Sequence, residues 1–407
     1  MDILREHRRQ SRRAQMNNAY TPNNAYIPVG SPPRMVRSSG HQSAAKIILA
    51  VFALMVAALL GLIVLLLIGS ETGPIELIIG MICATLPVPI YVMLLLWIDR
   101  YESEPLWMLT TTFLWGALVA VFIAIILNTV NGAIITAVTN SAQIGEHFGA
   151  VISAPIVEES AKAFILLVLF FWKRDEFDGI VDGIVYAGMV GLGFAMTENI
   201  LYYGRAALGG GGSLTLIFII RGFFAPFSHP LFTSLTGMGL GLARQSTNTA
   251  VKILTPIVGL LMAIFMHSIW NGSAVLGGGG LFVLTYLLVM VPAFIIMLVV
   301  IGLALRREGQ VVREYLTVDL NRGFLTQEEY KQLGSIFGRM GSSFNAFTQT
   351  GVSGWRARMR FNQLASELAF HRCRVSRGVY SGSYDVLEME TAYLHALQGL
   401  LNELRNR

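Results

Sequence analysis

Between residues 47 and 305 the chain is a succession of apolar runs, each long enough to cross a bilayer, and this restricts its fold more than any other feature. A crossing helix needs about 20 residues, and a lipid-facing segment must satisfy its backbone polar groups internally. The spans read at 47–69, 77–98, 108–128, 149–172, 180–203, 215–242, 253–272 and 281–305. The third has room to extend through Ile134 and Ile135. The sixth carries Arg221, Pro226 and Pro230, so it is expected to be tilted, broken or partly re-entrant. The fold class is therefore all-α: a polytopic transmembrane bundle of about eight spans with a small cytoplasmic helical tail.

Composition agrees. Hydrophobic residues make up 54% and charged residues 14%, with a mean hydropathy of +0.59, which excludes an ordinary soluble domain. Cys83 and Cys373 are too few for a disulfide scaffold or a cysteine metal cluster. The net charge of +5 collects in polar segments beside the apolar region, a topology signal, and no nucleic acid is expected as a partner.

Three regions follow. Residues 1–46 have five early arginines, then a Tyr/Pro/Asn/Ser stretch with no apolar periodicity, and are expected to be a disordered basic cytoplasmic segment with no signal-peptide core. Residues 47–305 form the membrane domain. Residues 306–407, with 14 Lys/Arg and 10 Asp/Glu, form a cytoplasmic helical tail. Its expected features are a capping box from Thr326 to Glu329, a Gly/Ser/Thr-rich linker over 340–354, an amphipathic segment from Trp355 and a final helix over 385–404. Arg356, Arg358 and Arg360 are too few for a nucleic-acid face but suit anionic lipid. Basic residues after spans two, four, six and eight, against Arg205 alone in the opposite loops, put both termini in the cytoplasm.

The ionisable residues inside the spans need a reason, since each costs at least a few kcal/mol in lipid. Glu158, Glu159, Glu198, His229 and His267 come from four helices, and the topology places them in the middle or outer half of the membrane. Glu158 and Glu159 lie about 15 Å along their span at 1.5 Å per residue. Either can pair with Lys162, and either can activate water as a general base in an apolar site. Asn271, four residues after His267, shares its face. His229 and His267, with Glu198, are candidates to hold a metal, zinc being the natural one for such ligands. Without H-E-x-x-H on one helix, a metal-free glutamate mechanism with imidazoles stabilising the oxyanion stands equally open. Asp182 is expected to be structural, and Asp99, Arg100, Glu102 and Glu104 are expected to form a solvated loop.

These residues also carry a resemblance. D-R-Y-E-S-E-P at 99–105, E-E-S-A-K at 158–162, D-G-I-V-Y-A-G at 182–188 leading to Glu198 and Asn199, then His229, then H-S-I-W-N with His267 and Asn271, occur in the order of the PrsW family of bacterial intramembrane proteases. That family is distantly related to the CAAX-prenyl endopeptidase and bacteriocin-processing family. The resemblance covers about residues 77–305. It implies a multi-pass protein of the bacterial cell membrane that cuts membrane-associated proteins, an anti-sigma factor being the implied substrate type. It implies catalytic roles for Glu158, Glu159, Glu198, His229, His267 and Asn271. A non-catalytic membrane scaffold and a proton-coupled transporter are the rival functions, although no inverted repeat supports the latter.

Overall fold

The computed structural model describes residues 44–174, 176–377 and 386–405, and among these there is helix and no β-strand. The basic segment expected at 1–46 lies outside the described residues as far as residue 43. One compact unit covers Gln42–Ala304 and a second runs from Leu305 to the C-terminus.

The first unit opens with α1 (Ala44–Thr72), then α2 (Pro74–Thr85) and α3 (Val88–Ile98), a pair interrupted at Leu86 and Pro87. Next come α4 (Leu106–Leu114) and α5 (Val121–Thr139), joined by a π turn, Trp115–Ala120. A second π turn, Gly149–Ser153, joins α6 (Ala142–Phe148) to α7 (Ala154–Trp172). The unit continues through α8 (Ile180–Leu208), α9 (Gly211–Ile219), α10 (Ser228–Gln245), α11 (Thr249–Leu276), α12 (Gly278–Thr285) and the start of α13 (Val291–Asn321). Seven described stretches are long and apolar enough to cross a membrane: Ile48–Thr72, Pro74–Ile98, Leu106–Thr139, Ile180–Leu208, Gly211–Gln245, Thr249–Leu276 and Gly279–Asn321. The run expected at 149–172 is also helical. Glu158, Glu159 and Lys162 interrupt its apolar character and set it apart from those seven.

Helix α8 is the axis of this unit. Within its apolar window 89% of residues are buried, against 17–33% for the other six stretches, so the others surround it. Glycines let neighbouring backbones approach it. A Cβ at Gly191 would lie 2.7 Å from the carbonyl oxygen of His229 and from the nitrogen of Pro230. Gly183 and Gly237 meet backbone to backbone across the same pair of helices, α8 and α10.

Among the described residues, three of the four π turns end two residues before a proline. Gly149–Ser153 precedes Pro155, Ile220–Phe224 precedes Pro226, and Tyr286–Met290 precedes Pro292. Proline has no N–H and clashes with the carbonyl four residues back, so the turn widens and the preceding residue bonds five residues back. Ala225 accordingly donates to the Ile220 carbonyl at 2.8 Å. Carbonyls in these widened turns are satisfied from other helices. Tyr91 Oη donates to Gly222 O at 2.5 Å, Tyr286 Oη to Phe224 O at 3.0 Å, and Asn271 Nδ2 to Ala150 O at 3.0 Å. The sixth span is thus broken at Ala225–Phe227, one of the forms its prolines allowed.

The second unit contains the later part of α13, α14 (Gln327–Leu333), α15 (Ile336–Arg377) and α16 (Val386–Arg405). Thr326 caps α14: its Oγ1 accepts from Glu329 N at 3.2 Å, and Glu329 Oε2 accepts from Thr326 N at 2.7 Å. The expected linker over 340–354 is instead helical and turns at Gly351, whose φ of 69° suits glycine. The two arms of α15 fold back on each other there. Asn362 Nδ2 donates to Ser343 Oγ at 3.2 Å, and Arg339 donates to Ser366 Oγ. These buried polar pairs explain why a Gly/Ser-rich stretch holds helical form. Arg372 ties three elements together through Asp319, Glu390 at 2.9 Å and the Tyr315 carbonyl at 2.8 Å.

Candidate active site

Helix α7 contributes Glu158, Glu159 and Lys162, at most 6% exposed, and Lys162 sits among the acids and imidazoles. Its Nζ lies 2.8 Å from Glu159 Oε1, 3.7 Å from Glu158 Oε2 and 3.1 Å from His229 Nδ1, and 3.8 Å above the Phe194 ring. Glu159 is held from three sides. Besides Lys162, Thr233 Oγ1 donates to its Oε2 at 3.0 Å, and His267 Nδ1 meets its Oε1 at 3.0 Å.

Glu198 on α8 completes the arrangement. Its Oε2 lies 3.0 Å from His229 Nε2 and pairs with Arg221 Nη2. Arg221 comes from the π turn before His229. Its Nε donates to Asn199 Oδ1 at 2.5 Å, and its guanidinium stacks 3.8 Å from the Tyr202 ring centre. Glycine at Gly191 brings α8 and α10 close enough for the Glu198–His229 bond.

The network orients the rings. An ammonium only donates, so His229 Nδ1 accepts from Lys162 and Nε2–H points to Glu198. Ionised Glu159 only accepts, so His267 Nδ1 donates to it and its Nε2 is left as an acceptor. That nitrogen faces Glu158 Oε2 at 3.8 Å, and Glu158 Oε2 is buried with no hydrogen-bond partner. Two acceptors face each other, which a proton, a water or a cation reconciles.

Glu158, His229 and His267 offer ligand atoms all within 4.8 Å of one another. The bare Glu158 oxygen and two imidazoles make a donor set that suits zinc. Both nitrogens of His229 are already engaged, by Lys162 and Glu198, so a cation bound there replaces one of those bonds. Glu198, expected as a ligand, pairs with Arg221 and His229 instead of joining this triad.

The structure brings five of the six expected residues together: Glu158, Glu159, Glu198, His229 and His267. Asn271 stands apart, its amide on the Ala150 carbonyl in the π turn that leads into α7. Arg221 and Thr233 also belong to the cluster, although neither was among the residues expected there. Thr233 was findable, four residues after His229 on one helix face. Asp182 acts structurally, accepting from the backbone nitrogens of Asp178 at 2.9 Å and Gly179 at 2.7 Å at the start of α8.

The acidic loop differs from expectation. Asp99 and Glu104 are 3% and 5% exposed, not solvated. Asp99 Oδ2 accepts from Glu104 N at 2.7 Å, which folds the loop inward, and Tyr186 Oη donates to the Glu104 carboxyl. Burial pushes the Glu104 carboxyl well above the usual carboxylate range, and the nearby Asp182 and Asp99 add repulsion while the Tyr186 bond opposes the rise.

Fold and site together define a multi-pass helical membrane protein whose ionisable side chains converge in one buried cluster between its spans. The family described as "PrsW family intramembrane metalloprotease" matches residues 104–297. The chain belongs to this family. It is similar to three proteins named Protease PrsW. The one from Oceanobacillus iheyensis is 32% identical over 169 residues, 42% of this chain and 71% of the relative. That from Geobacillus kaustophilus is 34% identical over 173 residues, 42% of this chain and 69% of the relative. The Bacillus subtilis protein is 32% identical over 180 residues, 43% of this chain and 71% of the relative. No solved structure matches the chain significantly.

Proposed function

We propose that the chain is an intramembrane endopeptidase of the bacterial cell membrane, cutting membrane-associated proteins. The observation that carries this reading is the pair of facing acceptors, Glu158 Oε2 and His267 Nε2, inside a cluster of three carboxylates, two imidazoles and two cations. An anti-sigma factor is the substrate type that the family resemblance brings, and both termini are assigned to the cytoplasm on the loop charges.

In the reaction, Glu158 and His267 orient a water between them. Glu158 takes its proton as the water oxygen attacks the scissile carbonyl, then passes that proton to the departing amine. Thr233 and His267 hold the Glu159 carboxylate, which in turn keeps the Lys162 ammonium beside Glu158 and His229. Arg221 and Glu198 fix the ring of His229. In the alternative zinc form Glu158 would serve as a ligand and not as the base: Glu158, His229 and His267 would hold the metal, which would polarise the carbonyl and make the water more acidic. Asn271 is assigned a positioning role through the Ala150 carbonyl.

Purified wild-type and Glu198→Ala proteins, reconstituted with candidate membrane substrates, test the proposal. Cleavage by the wild type and little or none by the variant is expected. Equal cleavage removes Glu198 from the machinery, and proton-driven solute flux without cleavage favours the transporter. Elemental analysis with chelation and metal rescue decides between the zinc and metal-free forms.

A further inference from the structure

The second unit carries an apolar surface that its own fold leaves uncovered. On the first arm of α15, Phe337, Met340 and Phe344 are 83%, 46% and 67% exposed, and Phe347 continues the line. On the second arm Trp355 and Met359 are 40% and 48% exposed. The first set recurs at three- and four-residue intervals and the second pair is four residues apart, so each lies along one face of its arm. The arms are antiparallel, with Ser343 beside Asn362, so Phe347, Trp355 and Met359 gather near the Gly351 tip.

The charge on this element is one-sided. Residues 336–377 contain seven arginines and one acidic residue, Glu367. Arg356 and Arg360 are exposed beside Trp355 and Met359. A second copy would oppose arginine to arginine. An anionic bilayer surface complements the charge and accepts Phe, Met and Trp at the headgroup boundary, the residue mix of an interfacial helix. The chain also enters this unit directly from an apolar helix long enough to span a membrane.

The geometry points to the α15 hairpin as an interfacial anchor that docks on the anionic surface of the bilayer. The docking is independent of the reaction proposed above. Phe344 and Trp355 enter the headgroup boundary, and Arg356 and Arg360 meet lipid phosphates.

The test uses the full chain in phosphatidylcholine nanodiscs with and without phosphatidylglycerol. A nitroxide is placed at Phe344→Cys or Trp355→Cys in a background where Cys83 and Cys373 are replaced by serine. In phosphatidylglycerol the label is expected to be reached by oxygen in preference to a water-soluble nickel chelate. Arg356→Gln with Arg360→Gln is expected to lower the docked-to-undocked ratio roughly 30-fold. Hydrogen exchange of residues 336–360 in the unsubstituted chain is an independent readout, with slower exchange expected when phosphatidylglycerol is present. Free access of the chelate in both lipids overturns the proposal. So does exclusion of both reagents, which indicates a protein partner, a second copy or the chain's own residues 1–43 on the face.

Discussion

Replacing Gly191 with alanine tests whether the site depends on the close crossing of α8 and α10. The new Cβ falls 2.7 Å from the His229 carbonyl oxygen and the Pro230 nitrogen, whereas ordinary contact begins at 3.4 Å. Both neighbours are backbone, so no side chain can rotate away, and the helices must part by about 0.7 Å. His229 is then carried from Glu198 and Lys162, now 3.0 and 3.1 Å away, toward the limit of hydrogen bonding. A displacement near 1 Å costs about 100-fold in rate, so the variant should cleave substrate roughly 10- to 100-fold more slowly. Overpacking should destabilise it by about 1–3 kcal/mol, with the better helix propensity of alanine offsetting about 1 kcal/mol. The assay is cleavage of a membrane substrate by reconstituted protein, with thermal unfolding measured alongside. Gly302→Ala is the control, because a Cβ there meets nothing within 4 Å. Full activity in Gly191→Ala, with an unchanged melting temperature, would show that the site does not depend on this close crossing.

Further expectations follow from the surroundings of the site. The buried Glu104 carboxyl holds its proton more tightly folded than unfolded. Above the unfolded value of about 4.3 the folded state therefore holds more protons than the unfolded state, and stability is lost as pH rises through the folded pKa. Melting temperature followed against pH should show that fall, and Glu104→Gln should flatten it. Asn271→Ala removes the donor to Ala150 O and should cost about 1–3 kcal/mol by denaturation. It should slow cleavage without abolishing it, because the side chain touches none of the acids or imidazoles in the cluster. Tyr91→Phe leaves the Gly222 carbonyl without its donor, with a similar loss of stability in the same assay.

Much of this fold was legible because lipid permits few solutions. Apolar runs of bilayer length had to be helices, and the two prolines around His229 marked the break that the structure contains. The site was legible for the opposite reason, as each acid or imidazole stood out against its apolar helix. The partners were harder to see. Arg221 stood out only as a charge interrupting the sixth span, and only the π turn brings it onto Glu198. Glu158 and Glu159 are adjacent in sequence, yet only the packing of α10 and α11 separates their surroundings, giving Glu159 three hydrogen-bonding partners and leaving Glu158 Oε2 without one. The acidic loop misled because its composition is that of solvent-facing loops, while Asp99 bonding to the Glu104 nitrogen turns it inward. The stretch 340–354 misled in the same way: glycine and serine suggest a linker, but interarm hydrogen bonds order it.

In the proposed reaction Glu158 acts on water within the cluster. The most direct measurement compares wild-type and Glu158→Gln proteins in lipid, monitoring both capture and cleavage of one membrane substrate. The glutamine keeps the shape of the side chain but cannot take a proton. Unchanged capture is expected, with cleavage slowed by at least about 100-fold, the usual contribution of a general base. Cleavage by Glu158→Gln at the wild-type rate would contradict it.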